Sequence, residues 1–244
     1  MATANPIQIV PLHGDALAAP VSAPQLTYHG GPLLPAVQVF VLFWGTAWEG
    51  AQAPLVQQIN QFFDFVLTSP LIDQLGEYSV AGMLIGHGAR TGALILSTDP
   101  PGTLADTDIQ QLIQQEISND AAVPQPTANS LYFVFLPPGV TLSLAGGTSC
   151  SNFCGYHSEI NSSIFYAVMP YPDCGGCTGV LSVTDALTAT SSHELCEAIT
   201  DPVPGQGWYD DRNGEIGDIC AWKTKKLGAY TVQLEWSNNA GQCI

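Results

Sequence analysis

Positive charge is what this sequence has least of. Five Lys and Arg stand against 21 Asp and Glu, a formal net charge of -16. A nucleic acid would be repelled by that field before any local contact formed, which excludes a nucleic-acid partner. Charge of either sign is scarce, at 11% of residues, so Ser, Thr, Gln, Asn and Gly must cover the surface, a composition that favours a secreted protein. Cysteine is absent from the first 149 residues: all seven lie between Cys150 and Cys243. The C-terminal part therefore reads as the cross-linked part. No run reaches the roughly 18 to 20 apolar residues of a membrane helix, so no membrane span is expected. Met1 to Gln25 lacks the basic start and continuous apolar run of a signal peptide. An extracellular location is expected, with the signal already removed or export by another route.

What is present is enough apolar material, 46% of residues, for one sizeable core. Residues 1–26, rich in Ala and Pro and without a sustained period, read as an extended N-terminal arm or leader remnant. Residues 27–244 read as a single domain whose folded part begins near Tyr28. The run AVQVFVLFW (36–44), apolar on both faces and bounded by Pro35 and Gly45, predicts a buried central strand. Leu55, Ile59, Phe62, Phe63 and Val66 form one helical stripe ending before Pro70. YSVAGMLIG (78–86) and GALILST (92–98) read as strands. Thr107 and Asp108 cap a helix through 108–118. SLYFVFLP (130–137) and SIFYAVMPY (163–171) are two more strands, and residues 184–199 a last long helix. Strands and helices alternate, which predicts an α/β fold with a mixed sheet packed by helices.

The segment SSHELCEAITDP (191–202) carries the most chemistry. Thr184 is the expected N-cap and Pro202 the stop. On a helix, His193 and Glu197 lie one turn apart on one face and can reach one metal ion, while Glu194, about 100° round, flanks the ion without ligating it. This is the logic of a zincin helix, in which zinc lowers the pKa of water to about 7 and the second-position carboxylate, here Glu194, is the general base. The departure is Glu197 where the standard motif has His. Ala186 and Thr190, on the same side at earlier turns, are small enough to leave space above the helix. Downstream, Asp201, Asp210, Asp211, Glu215 and Asp218 follow within 25 residues, and Asn213-Gly214 marks a turn that folds them back. Glu215 or Asp218 is the expected third ligand, the spacing fitting Glu215 as the group that completes the site and Asp218 as the one that orients the His. Calcium is the alternative ion for the same carboxylates, and a solvated helix end is the plain alternative to any site.

Cys150, Cys154, Cys174 and Cys177, spaced C-x3-C and C-x2-C, fit either a structural zinc knot, to which His157 would contribute, or two disulfides, as the acidic, Lys-poor composition favours. Cys220 and Cys243 make a third bridge, which leaves Cys196 as the unpaired thiol, packed inside the helix. His29 reads as a turn residue, His87 as a loop residue and Asn161-Ser162-Ser163 as a glycosylation acceptor pattern.

Several stretches in order resemble the EXORDIUM-like (phosphate-induced) family of secreted proteins: YHGGPLLPAVQVFVLFWG, FCGYH, CGGC, EAITDP followed by GWY, and the closing EWSNNAGQC. Together they span residues 28–243. Plant members of that family, associated with extracellular growth control, lack the His-Glu pair at the positions of His193 and Glu194. The resemblance thus implies a microbial-type relative that keeps a zincin-like site; it implies fold and export, not activity. The function expected is a secreted, monomeric, zinc-dependent metallopeptidase acting on a neutral or basic peptide or protein. The competing expectation is a non-catalytic extracellular protein with a structural metal, binding cell-wall carbohydrate or a protein partner through residues such as Trp208 and Tyr209.

Overall fold

The computed structural model describes residue 7, residues 9–13 and residues 23–244. In chain order its main elements are β1 (Ile9–Pro11), β2 (Gln38–Trp44), α1 (Ala53–Val66), α2 (Pro70–Leu75), β3 (Ala89–Leu96), α3 (Asp106–Asn119), β4 (Ser130–Phe135), β5 (Phe153–Ile160), β6 (Ile164–Met169), α4 (Val183–Thr200), β7 (Thr224–Leu227) and β8 (Tyr230–Gln233). Six strands form one mixed sheet in the order β1-β5-β6-β4-β2-β3. β3, β2, β4 and β6 are parallel, and β5 runs antiparallel to both β6 and β1. The expected α/β architecture with a mixed sheet is present.

The unbroken apolar run of β2 follows from helices on both faces. Val39, Val41 and Phe43 pack against α1, α2 and α4, whereas Phe40 and Leu42 face α3 on the other side. Each such buried side chain contributes roughly 1.5–3 kcal/mol. The α1 stripe buries Leu55, Ile59, Phe62, Phe63 and Val66 as expected, and Ser69 then caps α2 by accepting from the Leu71 amide at 3.3 Å.

Several local expectations are corrected. Residues 78–86 form no sheet strand; a single bridge pairs Val80 with Met83 across a turn whose Gly82 has φ 85°. Tyr78 and Ile85 supply the apolar pattern by dropping into the core beside α2, with the Tyr78 hydroxyl donating to the Trp236 carbonyl at 2.8 Å. α3 begins at Asp106, and the Asp108 carboxylate accepts from the Ala105 amide at 2.7 Å. Ser182, not Thr184, caps α4, taking the Asp185 amide at 3.1 Å, while Thr184 donates to Gln58. Within the segment read as an arm, Ile9–Pro11 pairs with β5, Ile9 opposite Tyr156 and Val10 opposite Gly155. Leu26, just ahead of the expected start of the domain, is buried and bracketed by the Asn238 side chain, which accepts from its amide and donates to its carbonyl.

The C-terminal part is cross-linked by Cys150–Cys174, Cys154–Cys177 and Cys220–Cys243, with Cys196 free and buried in α4. The four clustered cysteines are thus two disulfides, and the zinc-knot alternative, with His157 as its ligand, is set aside.

Candidate metal centre

α4 lies between the sheet and β8, and every residue from 186 to 200 is buried. A helix enclosed on all sides needs no polar stripe for solvent, so the polar residues at its C-terminal end are there for one another. The space expected above Thr190 is filled by β5. A Cβ on Gly155 would stand 2.7 Å from Thr190 Cγ2 and 3.4 Å from Glu194 Oε1, so glycine lets this strand cross directly over the helix. Two residues on, His157 points from β5 to the same helix face.

His193 and Glu197 meet as their spacing predicts, Nε2 standing 2.9 Å from Oε1. Yet His193 Nε2 makes no hydrogen bond, so the two atoms converge side by side rather than donor onto acceptor. That is the approach of two ligands sharing a cation. Asp218 Oδ1 is 4.0 Å from the same nitrogen, and the Asp218 amide donates to Glu197 Oε1 at 3.1 Å. The loop carrying Asp218 comes this close because residue 217 is glycine; a Cβ there would lie 2.8 Å from His193 Nδ1. On the other side of His193, Gln233 Nε2 contacts Nδ1 at 2.7 Å and the Gly217 carbonyl at 2.9 Å, while its Oε1 accepts from the Trp222 amide. In this pattern Nδ1 accepts and the ring proton sits on Nε2, so loading a cation at Nε2 displaces a proton and re-pairs Gln233.

His157 is the residue the sequence reading misplaced. Its Nδ1 donates to Glu194 Oε2 at 3.1 Å and lies 3.5 Å from Glu197 Oε2; its Nε2 donates to the Asp201 carbonyl at 3.2 Å and lies 3.7 Å from Glu215 Oε1. Two metal-capable groups result: His193, Glu197 and Asp218, and His157, Glu197 and Glu215, with the ligand atoms of each group within 4.8 Å of one another. Both downstream carboxylates named from the sequence are therefore at the centre, one in each group. Asp201, Asp210 and Asp211 belong to neither group. Asp201 organises the following turn by accepting from the Gly205, Gln206 and Gly207 amides, and Asp210 does the same for Gln25, Arg212 and Asn213. Asp211 is exposed.

The electrostatics set two imidazoles against six carboxyl groups. Glu194, Glu197, Asp201 and Glu235 are 0% exposed, Glu215 is 1% exposed, and only Asp218 has an edge to solvent. Burial alone would lower the His157 pKa, but Glu194 and Glu197 outweigh it and push it up to about 10. Burial would raise Glu197, but His193 and His157 hold it down at about 2. The rest are left short of positive charge. Burial, then the Glu197 charge, pushes Asp218 up to about 7, and the same two causes raise Glu215 well above the usual carboxylate range. Burial raises Glu194 and Glu235 as well. One oxygen each of Glu194 and Glu197, and both oxygens of Glu215 and Glu235, have no hydrogen-bond partner. Buried carboxylates in that condition are paired with cations or protonated. Each group offers one imidazole nitrogen and two carboxylate oxygens, with no thiolate. These residues can hold a metal ion.

Glu235 gave no signal at sequence level beyond an acid between apolar neighbours. It is fixed through its backbone, which pairs with Ile244 in both directions, at 3.1 and 2.9 Å. The aromatics considered for carbohydrate contact are engaged in the fold: Trp208 packs on Tyr28 and Tyr78, and Tyr209 stacks on His29 at 3.7 Å. His87 pairs with exposed Asp73 on the surface. No protein-family model matches this chain, and no curated protein matches it.

Proposed function

We propose that this protein is a secreted zincin-like hydrolase of peptide bonds, a microbial-type relative of the EXORDIUM-like proteins, with zinc held by His193, Glu197 and Asp218. The observation that carries this is the convergence of unpaired, buried His193 Nε2 on Glu197 and Asp218, next in sequence to Glu194, a buried carboxylate with one oxygen free of hydrogen bonds. Three protein ligands leave one position open, as catalytic zinc requires. A bound ion would supply Lewis acidity toward a carbonyl and make water acidic enough to lose a proton near neutral pH. Glu194 would be the proton acceptor through Oε1, its oxygen without a hydrogen-bond partner, while His157 donates to Oε2 and so fixes which oxygen is available. Gln233 orients His193, and Gly217 lets the Asp218 loop close on it.

Access is from the β5 edge. Residues 9–13 run along it: Val10 is fully buried against Cys154 and Cys177, Trp222 Nε1 donates to the Pro11 carbonyl at 2.8 Å, and His13 stacks on Trp222 at 3.6 Å. An extended peptide adding to β5 after this segment moves aside would meet Glu194 across Gly155. The purified zinc-loaded protein is expected to cleave casein or a peptide library, and a chelator to stop it. Glu194→Gln is expected to lower kcat by about 10² to 10⁴ with zinc content and thermal transition unchanged. Val10→Asp, which loosens the covering segment, is expected to raise kcat/KM. Cleavage that survives chelation, or none from the zinc-loaded Val10→Asp protein, sinks the proposal.

The burial of His193 and Glu197, with only an edge of Asp218 reaching solvent, favours a second reading, a metal that only stiffens an extracellular binding protein. In that case chelation or His193→Ala lowers the melting temperature, and Glu194→Gln alters no measurable property of the protein.

A further inference from the structure

Glu197 divides its two carboxylate oxygens between two ligand groups. Oε1 faces His193 and Asp218, while Oε2 faces His157. Oε2 has no hydrogen-bond partner, and neither oxygen of Glu215 on that side has one, although both side chains are at most 1% exposed. A mononuclear centre at His193 uses Oε1 and leaves Oε2 of Glu197 and both oxygens of Glu215 without a task, while His157 is engaged only through Glu194 and the Asp201 carbonyl. One divalent ion also leaves four of six clustered carboxylate charges to be met by two imidazoles. From this geometry we infer that the centre takes two divalent transition-metal ions bridged by Glu197. The first ion is held by His193, Glu197 and Asp218, the second by His157, Glu197 and Glu215.

A bridging carboxylate places its two ions about 3.5–4 Å apart. Each ion would have one imidazole and two carboxylate oxygens, a donor set that suits zinc or manganese. The second ion requires His157 to give up one ring proton, now donated either to Glu194 or to the Asp201 carbonyl. His157 in its charged form is the rival occupant: it would serve as the internal cation in place of the second ion. The inference rests on the proposed hydrolase site only through the shared Glu197. It is tested by counting metal, so that its failure leaves the hydrolase proposal standing and the reverse.

Full-length protein saturated with Zn²⁺ and dialysed against metal-free buffer is expected to retain two zinc ions per chain. His157→Gln and Glu215→Gln are each expected to retain one, and His193→Gln to lose the other. One ion in the unaltered protein, or two that persist in both His157→Gln and Glu215→Gln, overturns the inference. Should those variants fail to show a cooperative thermal transition, X-ray absorption on the zinc-saturated unaltered protein decides. A zinc–zinc vector near 3.5–4 Å supports the bridge, and its absence overturns it.

Discussion

Between Gln38 and Phe135 the chain is held by apolar side chains on both faces of a largely parallel sheet, with Ser69 and Ser130 the only buried polar side chains. From Cys150 onward the picture reverses. Three disulfides bracket a buried set of imidazoles and carboxylates, and α4 carries polar groups where α1 carries Phe. Apolar burial gives free energy wherever shapes fit, so the first region needs no cross-link. A cluster of like charges is costly to enclose, and its loops would open to solvate it. Cross-links limit how far they can open. The bridges sit accordingly: two fasten the approach to β5, and Cys220–Cys243 ties the segment after Asp218 to the C-terminal end, next to Ile244, which pairs with Glu235.

Changes in one region should leave the other's dependences intact, the largest effect coming first. Phe63→Ala, in the apolar region, is expected to cost about 3–5 kcal/mol, measured by denaturant unfolding, by the same amount with or without chelator. A cost that shrinks on metal removal would mean that the two regions share one source of stability. Replacing Cys220 and Cys243 together with Ser opens a bridge of sequence separation 23 and should cost about 3 kcal/mol. Unlike Phe63→Ala, it should also weaken zinc retention in competition with a chromophoric chelator.

The pH dependence isolates the charged region further. Asp218 titrates near 7 in the folded protein against 3.8 when unperturbed, so the folded state holds the extra proton and loses stability as the pH rises between those values. Glu197, lowered from 4.5 to about 2, adds stability that is complete above 4.5; His157, raised from 6.5 to about 10, adds stability undiminished below 6.5. From pH 4.5 to 6.5 the raised acids act, opposed only by the half-buried His13, whose pKa burial lowers from 6.5. The melting temperature of chelator-treated protein should therefore fall across that window and that of zinc-loaded protein should not; parallel curves would argue against an ion in the cluster. The smallest effect is Ser182→Ala, which removes the α4 cap and should cost about 1 kcal/mol by thermal unfolding without changing zinc content.

Much of this contrast was legible in the residues. The step from a cysteine-free to a cysteine-rich part marked the boundary, and the four-residue spacing of His193 and Glu197 placed both on one helical face because helical geometry is local. Glu215 and Asp218 were within reach because a turn at Asn213-Gly214 brings them back. His157 was hidden for a different reason. Its strand, FCGYHSEI, contains the cysteine and glycine that dominate a local reading, and its approach to Glu194 spans 37 residues with no periodicity to announce it. Gln233 and Glu235 reach the centre only through the packing of β8 on α4. Residues 78–86 erred the other way: apolar alternation reports burial, and here burial came from a turn against α2 and not from a ladder.

The mutual pairing of Ile244 with Glu235 has a practical side. The last residue of this sequence is tied, through one peptide unit, to a carboxylate sealed in beside His193, and residues 9–13 cover the opposite approach. A purification handle fused after Ile244 would load that pairing directly. Metal content and activity measured on tagged protein should be compared with material from which the handle has been cut, or with a handle placed in the exposed turn at Asn161-Ser162, remote in sequence from both ends.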